Sequence, residues 1–215
     1  MAKYKHIIWD WNGTLLDDRW LSVSAMNQVL AKRAMPPLKE AHYLDIFTFP
    51  VIDYYRRLGF DFEKEPFTIS GSEFIERYNE RAKEASLHYD TMDTLKTFRD
   101  LGMTQSILSA SRQDYLDNLI HHHKIREYFI KILGINNHYA DGKIEIGKAW
   151  MDELHYGPHE VLFIGDTIHD LEVANAIGAD CALVAIGHTS RERLEKTHHD
   201  VYTNLTALTR KILEQ

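Results

Sequence analysis

Apolar residues first gather at positions 4–9, with Ile7 and Ile8 at the centre, and the run stops at the turn pair Asn12-Gly13. A short apolar run ending in a turn signal predicts a buried strand that feeds a loop. Helical spacing follows. Leu16, Trp20, Val23, Asn27 and Leu30 share one face up to Pro36-Pro37. A second stripe runs through Leu44, Phe47, Val51, Tyr54 and Leu58, interrupted by Pro50 and stopped by Gly59. Phe74, Ile75, Tyr78, Ala82 and Ala85 make a third, and Met92, Leu95, Phe98 and Leu101 a fourth that ends at Gly102. From there the pattern alternates. Strands are predicted at 103–109, 129–133, 161–164 and 181–186, with helices at 113–123, 148–155 and 168–177 between them. A short strand near Val201-Tyr202 and a helix over 205–214 complete the chain.

Strand–helix alternation predicts an α/β fold, a doubly wound, Rossmann-like parallel sheet with helices on both faces. The first connection breaks the rule. A parallel crossover needs one helix within a unit of about 30 residues, yet mostly helical pattern separates the first two strands over a far longer stretch. The excess reads as an inserted α-helical cap over residues 17–86, set on a core of residues 1–16 and 87–215. Open α/β sheets bind ligands at the carboxyl ends of their strands, so the insert is expected to cover an active site.

Composition narrows the function. The chain has 215 residues, 44% of them hydrophobic and 27% charged, enough for a core without metal or disulfide staples. With 25 Lys+Arg against 32 Asp+Glu the net charge is −7, which argues against nucleic-acid partners and basic membrane patches. No apolar stretch approaches the length of a membrane span, and no signal-peptide pattern opens the chain. The single cysteine, Cys181, suits a reducing compartment, and the expectation is a cytoplasmic protein. Oligomeric state leaves no mark in the sequence. The 13 histidines suggest a metal, but His121, His122 and His123 are consecutive and cannot share a helix face, and His198 and His199 sit in a polar loop. Zinc is not expected.

The chemistry gathers after the strands. Asp10-Trp11-Asn12-Gly13-Thr14 follows the first strand, Ser109-Ala110-Ser111 the second, Lys148 stands before the expected helix at 148, and Asp166 to Asp170 follows the strand at 161–164. Parallel strands bring all of these to one sheet edge. Three carboxylates there repel one another unless a hard cation such as Mg²⁺ joins them. Asp10 can attack phosphorus, while Ser109 and Lys148 hold the phosphoryl oxygens. Gly13 and Thr14 are placed to offer backbone N–H groups.

These four motifs, in this order, resemble the haloacid dehalogenase superfamily of phosphohydrolases, in the phosphoglycolate phosphatase-like branch with a helical cap. The resemblance covers essentially the whole chain. It implies Asp10 as nucleophile, Thr14 closing the first motif, Ser109 and Ala110 in the second, Lys148 (or Lys143, five residues earlier) as the third-motif lysine, and Asp166 and Asp170 as metal ligands. It also implies Mg²⁺ bound by Asp10, by the backbone carbonyl of Asn12, and by the two later aspartates. The activity implied is Mg²⁺-dependent hydrolysis of a small phosphorylated metabolite, phosphoglycolate or another small monoester, through an aspartyl-phosphate.

One residue departs from the pattern. Where the family's phosphatases carry an acid/base aspartate, this chain has Asn12. An amide cannot shuttle a proton at neutral pH. Activity is then low, or the substrate has a good leaving group, or His169, Asp17 or Asp18 supplies the proton. The alternative function is a weakly active or non-catalytic relative that binds a phosphorylated ligand or partner. Asn12 counts against a sugar-phosphate mutase. The lack of lysine between Lys39 and Lys64 counts against a phosphonoacetaldehyde hydrolase, and Asp166 with Asp170 counts against a metal-free dehalogenase. In the insert, Phe47, Phe49, Arg56 and Arg57 are specificity candidates, with cap packing and solvated arginines as the plainer reading. Trp20 is expected to pack in the linker.

Overall fold

The computed structural model of the chain describes residues 3–136 and 142–214. Its main sheet is built from β1 (His6–Trp9), β4 (Thr104–Arg112), β5 (Lys131–Ile135), β6 (Val161–Gly165), β7 (Asp180–Val184) and β8 (Val201–Tyr202). The spatial order is β5-β4-β1-β6-β7-β8, and every pairing in it is parallel. The expected doubly wound sheet is therefore present. From the central strand β1 the chain winds outward through β4 to β5 on one side, then crosses over to β6 and winds outward through β7 to β8 on the other. The crevice beside β1 is thus the topological switch point.

Alternation along the strands splits the core into two layers. Ile7, Trp9, Ile107, Leu162 and Ile164 face α5 (Thr91–Asp100), α6 (Gln113–His122) and α10 (Leu205–Leu213). Ile8, Leu108, Phe163 and Leu183 face α7 (Lys143–Leu154), α8 (Ile168–Ile177) and the short α9 (Arg191–Glu195). Strands covered on both faces read as unbroken apolar runs, which is why the sequence showed them.

Between β1 and β4 stand α1 (Arg19–Ala31), α2 (Glu40–Ile46), α3 (Val51–Leu58) and α4 (Phe67–Arg81). They share a hydrophobic cluster of their own, with Met26, Leu30, Tyr43, Tyr54, Tyr55 and Phe60 buried in it. The chain enters and leaves this helical segment through a two-stranded antiparallel ribbon, β2 (Leu16–Asp17) and β3 (Ser86–Leu87). Local pattern did not announce the ribbon, because its pairing joins residues seventy apart. The single stripe expected around Pro50 is two helices, α2 and α3. Pro50 stands at the N-cap of α3, where its missing N–H costs nothing.

The largest difference from the sequence expectation is α7. It begins at Lys143, not 148, with Gly142 as its N-cap at φ 101°. Only glycine adopts that backbone readily, so Gly142 marks the helix start.

His6 on β1 is fully buried, with Thr104 Oγ1 and Ser106 Oγ each 2.7 Å from its ring nitrogens. Burial lowers its pKa from 6.5 to about 4. Below pH 6.5 the unfolded chain takes up this proton while the folded chain does not, so stability is full above that pH and falls toward pH 4. The whole window is worth about 3 kcal/mol. Between pH 7 and pH 5, urea unfolding of the wild type is expected to lose about 2 kcal/mol more than that of His6→Gln. Equal losses would refute the assignment.

Candidate active site

Asp10 follows the last residue of β1, and its N–H donates to Ile164 O at 2.8 Å, which fixes the carboxylate at the switch point. Across the crevice, β6 ends at Gly165 and delivers Asp166. Thr167 then caps α8 in a capping box with Asp170, whose Oδ2 accepts from Thr167 N–H at 2.9 Å and from Asp166 N–H at 3.2 Å. Carboxylate oxygens of Asp10, Asp166 and Asp170 lie within 4.8 Å of one another, and all three residues are buried. Thr14 Oγ donates to Asp166 Oδ1 at 2.7 Å and lies 3.3 Å from Asp10 Oδ2.

The lysine of the site is Lys143. Its Nζ donates to Asp10 Oδ1 at 2.6 Å and to Asp170 Oδ1 at 2.7 Å, and its side chain is 2% exposed. Lys148 is exposed on the outer side of α7. Five residues turn a helix through about 500°, which carries that side chain well away from the face of Lys143. The expectation that Lys148 reaches phosphate is corrected accordingly; its error followed from placing the helix start five residues late.

Electrostatics here are set by burial. It pushes Asp10 up to about 8, against the pull of Lys143 and with the repulsion of Asp170 and Asp166 added. Burial likewise raises Asp166 to about 6. Burial acts on Asp170 in the same direction, but Lys143 and the Thr167 hydroxyl hold it below the usual carboxylate range. When all three carboxylates are ionised, one ammonium leaves two negative charges uncompensated. That charge and an all-oxygen donor set fit a divalent hard cation such as Mg²⁺.

Ser109 lies in the irregular end of β4, where the register against β5 shifts between Leu108 and Arg112. Its Oγ accepts from Ser111 N–H at 3.0 Å, which leaves its own proton to donate into the crevice it lines with Asp10, Ala110 and Lys143. Gly13 adopts φ 76°, and a Cβ there would stand 2.5 Å from Asp166 Oδ2 and from the His188 ring. Its N–H does not point to a phosphate, as had been expected. It donates inward to Leu16 O at 2.9 Å and Asp18 Oδ1 at 2.8 Å.

Asn12 is held from three sides. Its Nδ2 donates to Asp18 Oδ2 and to Tyr78 OH, each at 2.9 Å, and Ser111 Oγ donates to its Oδ1 at 2.6 Å. Tyr78 OH donates to the same Asp18 oxygen at 2.6 Å. Asp18 is 1% exposed and lies 3.2 Å from His188 Nε2, whose Nδ1 meets Tyr43 OH at 2.8 Å. Burial pulls His188 down but Asp18 outweighs it and raises it to about 9, so the imidazole is cationic at neutral pH. The backbone N–H of His188 donates to Asp166 Oδ2 at 2.6 Å.

His188, Tyr43 and Tyr78 were not singled out from sequence. Gly187-His188 follows β7 at the same sheet edge, so the rule that found Asp166 would have found it. The tyrosines sit on inserted helices and carry no local signal. Of the other candidates, Asp18 joins the site, and Asp17 is exposed on β2. His169 instead stacks on Phe49, with centroids 4.6 Å apart, and its Nδ1 meets Glu172 at 3.2 Å. Arg56 pairs with Asp53, and Arg57 bonds Ile46 O at 3.1 Å; both are exposed. Trp20 is 37% exposed beneath the Arg81 guanidinium. Among the described residues, no helix is long and apolar enough to cross a membrane.

Comparison with known proteins gives this geometry a context. Phosphoglycolate phosphatase of Vibrio vulnificus (strain YJ016) is 24% identical over 129 residues, 59% of this chain and 57% of that protein. The matched stretch is thus little more than half the length of that relative. Tyrosine-protein kinase PtkA of Mycobacterium tuberculosis (strain ATCC 25618 / H37Rv) is 22% identical over 204 residues, 94% of this chain and 69% of that protein. A crystal structure from Clostridium acetobutylicum, described as a predicted phosphatase, superposes over the full length of both chains with a TM-score of 0.78 at 21% identity. Residues 7–184, from β1 to the end of β7, match the family described as haloacid dehalogenase-like hydrolase. With the Asp10 loop, Lys143 and the Asp166–Asp170 loop all inside that span, the chain belongs to the haloacid dehalogenase-like hydrolase family.

Proposed function

We propose that the chain is a phosphoric monoester hydrolase with Asp10 as nucleophile. The observation that carries the reading is Lys143 Nζ bridging Asp10 and Asp170 beside Asp166 at the switch point. Asp10, Asp166, Asp170 and the backbone carbonyl of Asn12 would hold Mg²⁺, which would supply positive charge to the phosphoryl oxygens and to an ionised Asp10. The Asp10 carboxylate attacks phosphorus, the ester P–O bond breaks, and the alkoxide leaves and takes its proton from solvent water. Water then attacks the aspartyl-phosphate, releasing phosphate and restoring the carboxylate. Lys143 and the Ser109 hydroxyl bind the phosphoryl oxygens, and Lys143 keeps Asp10 oriented.

In this reading residues 17–86 are a cap over a core of 1–16 and 87–215, hinged at the β2–β3 ribbon. Tyr43 and Tyr78 carry the cap's contribution into the site through His188 and Asp18. The names of the relatives make phosphoglycolate one candidate substrate. A non-catalytic role has less to support it, because Asp10, Lys143, Asp166 and Asp170 stand together at the switch point.

The test is p-nitrophenyl phosphate turnover with Mg²⁺. Wild type is expected to be active, to lose activity in EDTA and regain it with Mg²⁺, and Asp10→Asn is expected to fall to background. The reading fails if wild type and Asp10→Asn are equally inactive and neither Mg²⁺ nor beryllium fluoride binds by calorimetry.

A further inference from the structure

The crevice at Asp10 opens into a cavity of about 190 Å³ that runs up among the inserted helices. Beyond the reacting groups its wall is apolar and largely aromatic, formed by Phe47, Phe49, Phe74, Ile75, Tyr54 and Tyr115. An apolar void of roughly 150 Å³ holds one benzene molecule, so the space admits a single ring next to a phosphoryl group.

The cavity has little to offer a second anionic group. Three lining groups can carry positive charge, and each faces an acid. Lys143 is bound between Asp10 and Asp170. The His188 ring lies 3.2 Å from Asp18 Oδ1. Arg112 pairs with Asp114 and lies 4.0 Å over the Tyr115 ring. A carboxylate on the alcohol part of the ester would have to shed its water against aromatic walls, which is unfavourable without a paired cation. An uncharged ring would instead bury its faces there. Tyr54 adds one specific contact. It is 2% exposed, and its hydroxyl has no hydrogen-bond partner among the described residues, so it can serve one uncharged polar atom of a ligand.

We infer that the substrate is a phosphate monoester of an uncharged, ring-sized apolar alcohol, not of a small hydroxy acid. This rests on the phosphatase reading and narrows it. The test compares benzyl phosphate with phosphoglycolate on the full chain with Mg²⁺. Both are phosphorylated primary alcohols with leaving groups of similar basicity, so the comparison reads the cavity and not the chemistry. Benzyl phosphate is expected to have the higher kcat/KM by about tenfold or more, mainly through KM. Ile75→Arg, which adds a cation to the wall at a half-buried position, is expected to shift that ratio toward phosphoglycolate by about tenfold.

Acetyl phosphate, whose acetyl part is small and uncharged and leaves readily as acetate, separates the two readings. If it is hydrolysed in an Asp10-dependent way but phosphoglycolate matches or exceeds benzyl phosphate, the cavity inference falls and the phosphatase stands. If acetyl phosphate and both esters give no turnover above Asp10→Asn, the phosphatase reading falls and takes this inference with it.

Discussion

Lys143→Ala is expected to reduce turnover by at least about 10²–10³-fold, the scale seen when one charged or hydrogen-bonding group is removed from a transition-state site. Lys148→Ala is expected to leave turnover within about twofold. The contrast follows from position. Lys143 Nζ is the cation between Asp10 and Asp170, 2.6 and 2.7 Å from their oxygens, while Lys148 lies on the solvent side of the same helix. Stability separates the two variants as well. Removing one partner from a buried ionic cluster costs about 3–5 kcal/mol, because the remaining charges stay buried and unpaired. Lys143→Ala should therefore show a clearly lower Tm without Mg²⁺, and part of that loss should return when Mg²⁺ is added. For Lys148→Ala the change should stay within about 0.5 kcal/mol, as for most surface substitutions. Steady-state assays with thermal unfolding in EDTA and in Mg²⁺ decide the matter. Comparable losses for the two lysines would remove Lys143 from the site.

How the two lysines were confused shows what the chain discloses locally. The sheet was readable because its strands are buried on both faces and appear as short apolar runs between turn residues. Ile7 and Ile8 before Asn12-Gly13 are one case, and the run from Val161 to Gly165 another. The carboxylates were readable because parallel strands send whatever follows them to one edge. Lys143 stood second to Lys148 because the helix start was set at 148, and only the tertiary arrangement shows which lysine points into the buried carboxylates. The network around Asn12 escaped for a different reason. Tyr78 reaches Asp18 across sixty residues, and Tyr43 reaches His188 across 145, so no periodicity or spacing ties them together.

That network makes Asn12→Asp the most informative single change. In the wild type nothing at position 12 can donate a proton to the departing alcohol, so the rate should depend steeply on how well the leaving group bears negative charge. In the variant a carboxyl group would stand where Asn12 Nδ2 now lies 2.9 Å from Asp18 Oδ2. Two carboxylates at that separation cannot both ionise, so the pair would retain a proton near neutral pH. Such a group is a general acid. Alkyl phosphates should then be hydrolysed about 10²–10⁴-fold faster, while p-nitrophenyl and acetyl phosphate, which need no protonation, should change little. Plotted against leaving-group pKa, log kcat/KM should fall steeply for wild type and gently for Asn12→Asp. Parallel slopes would show that position 12 takes no part in proton transfer. The gain should carry a cost in the resting protein. The substitution removes donors from both Asp18 and Tyr78 and adds a further acid, at a half-buried position, to a site that already holds Asp10, Asp18, Asp166 and Asp170. The metal-free variant is therefore expected to unfold at a lower temperature than wild type. An amide at this position keeps the Asp18–Tyr78 contact intact at the expense of proton transfer.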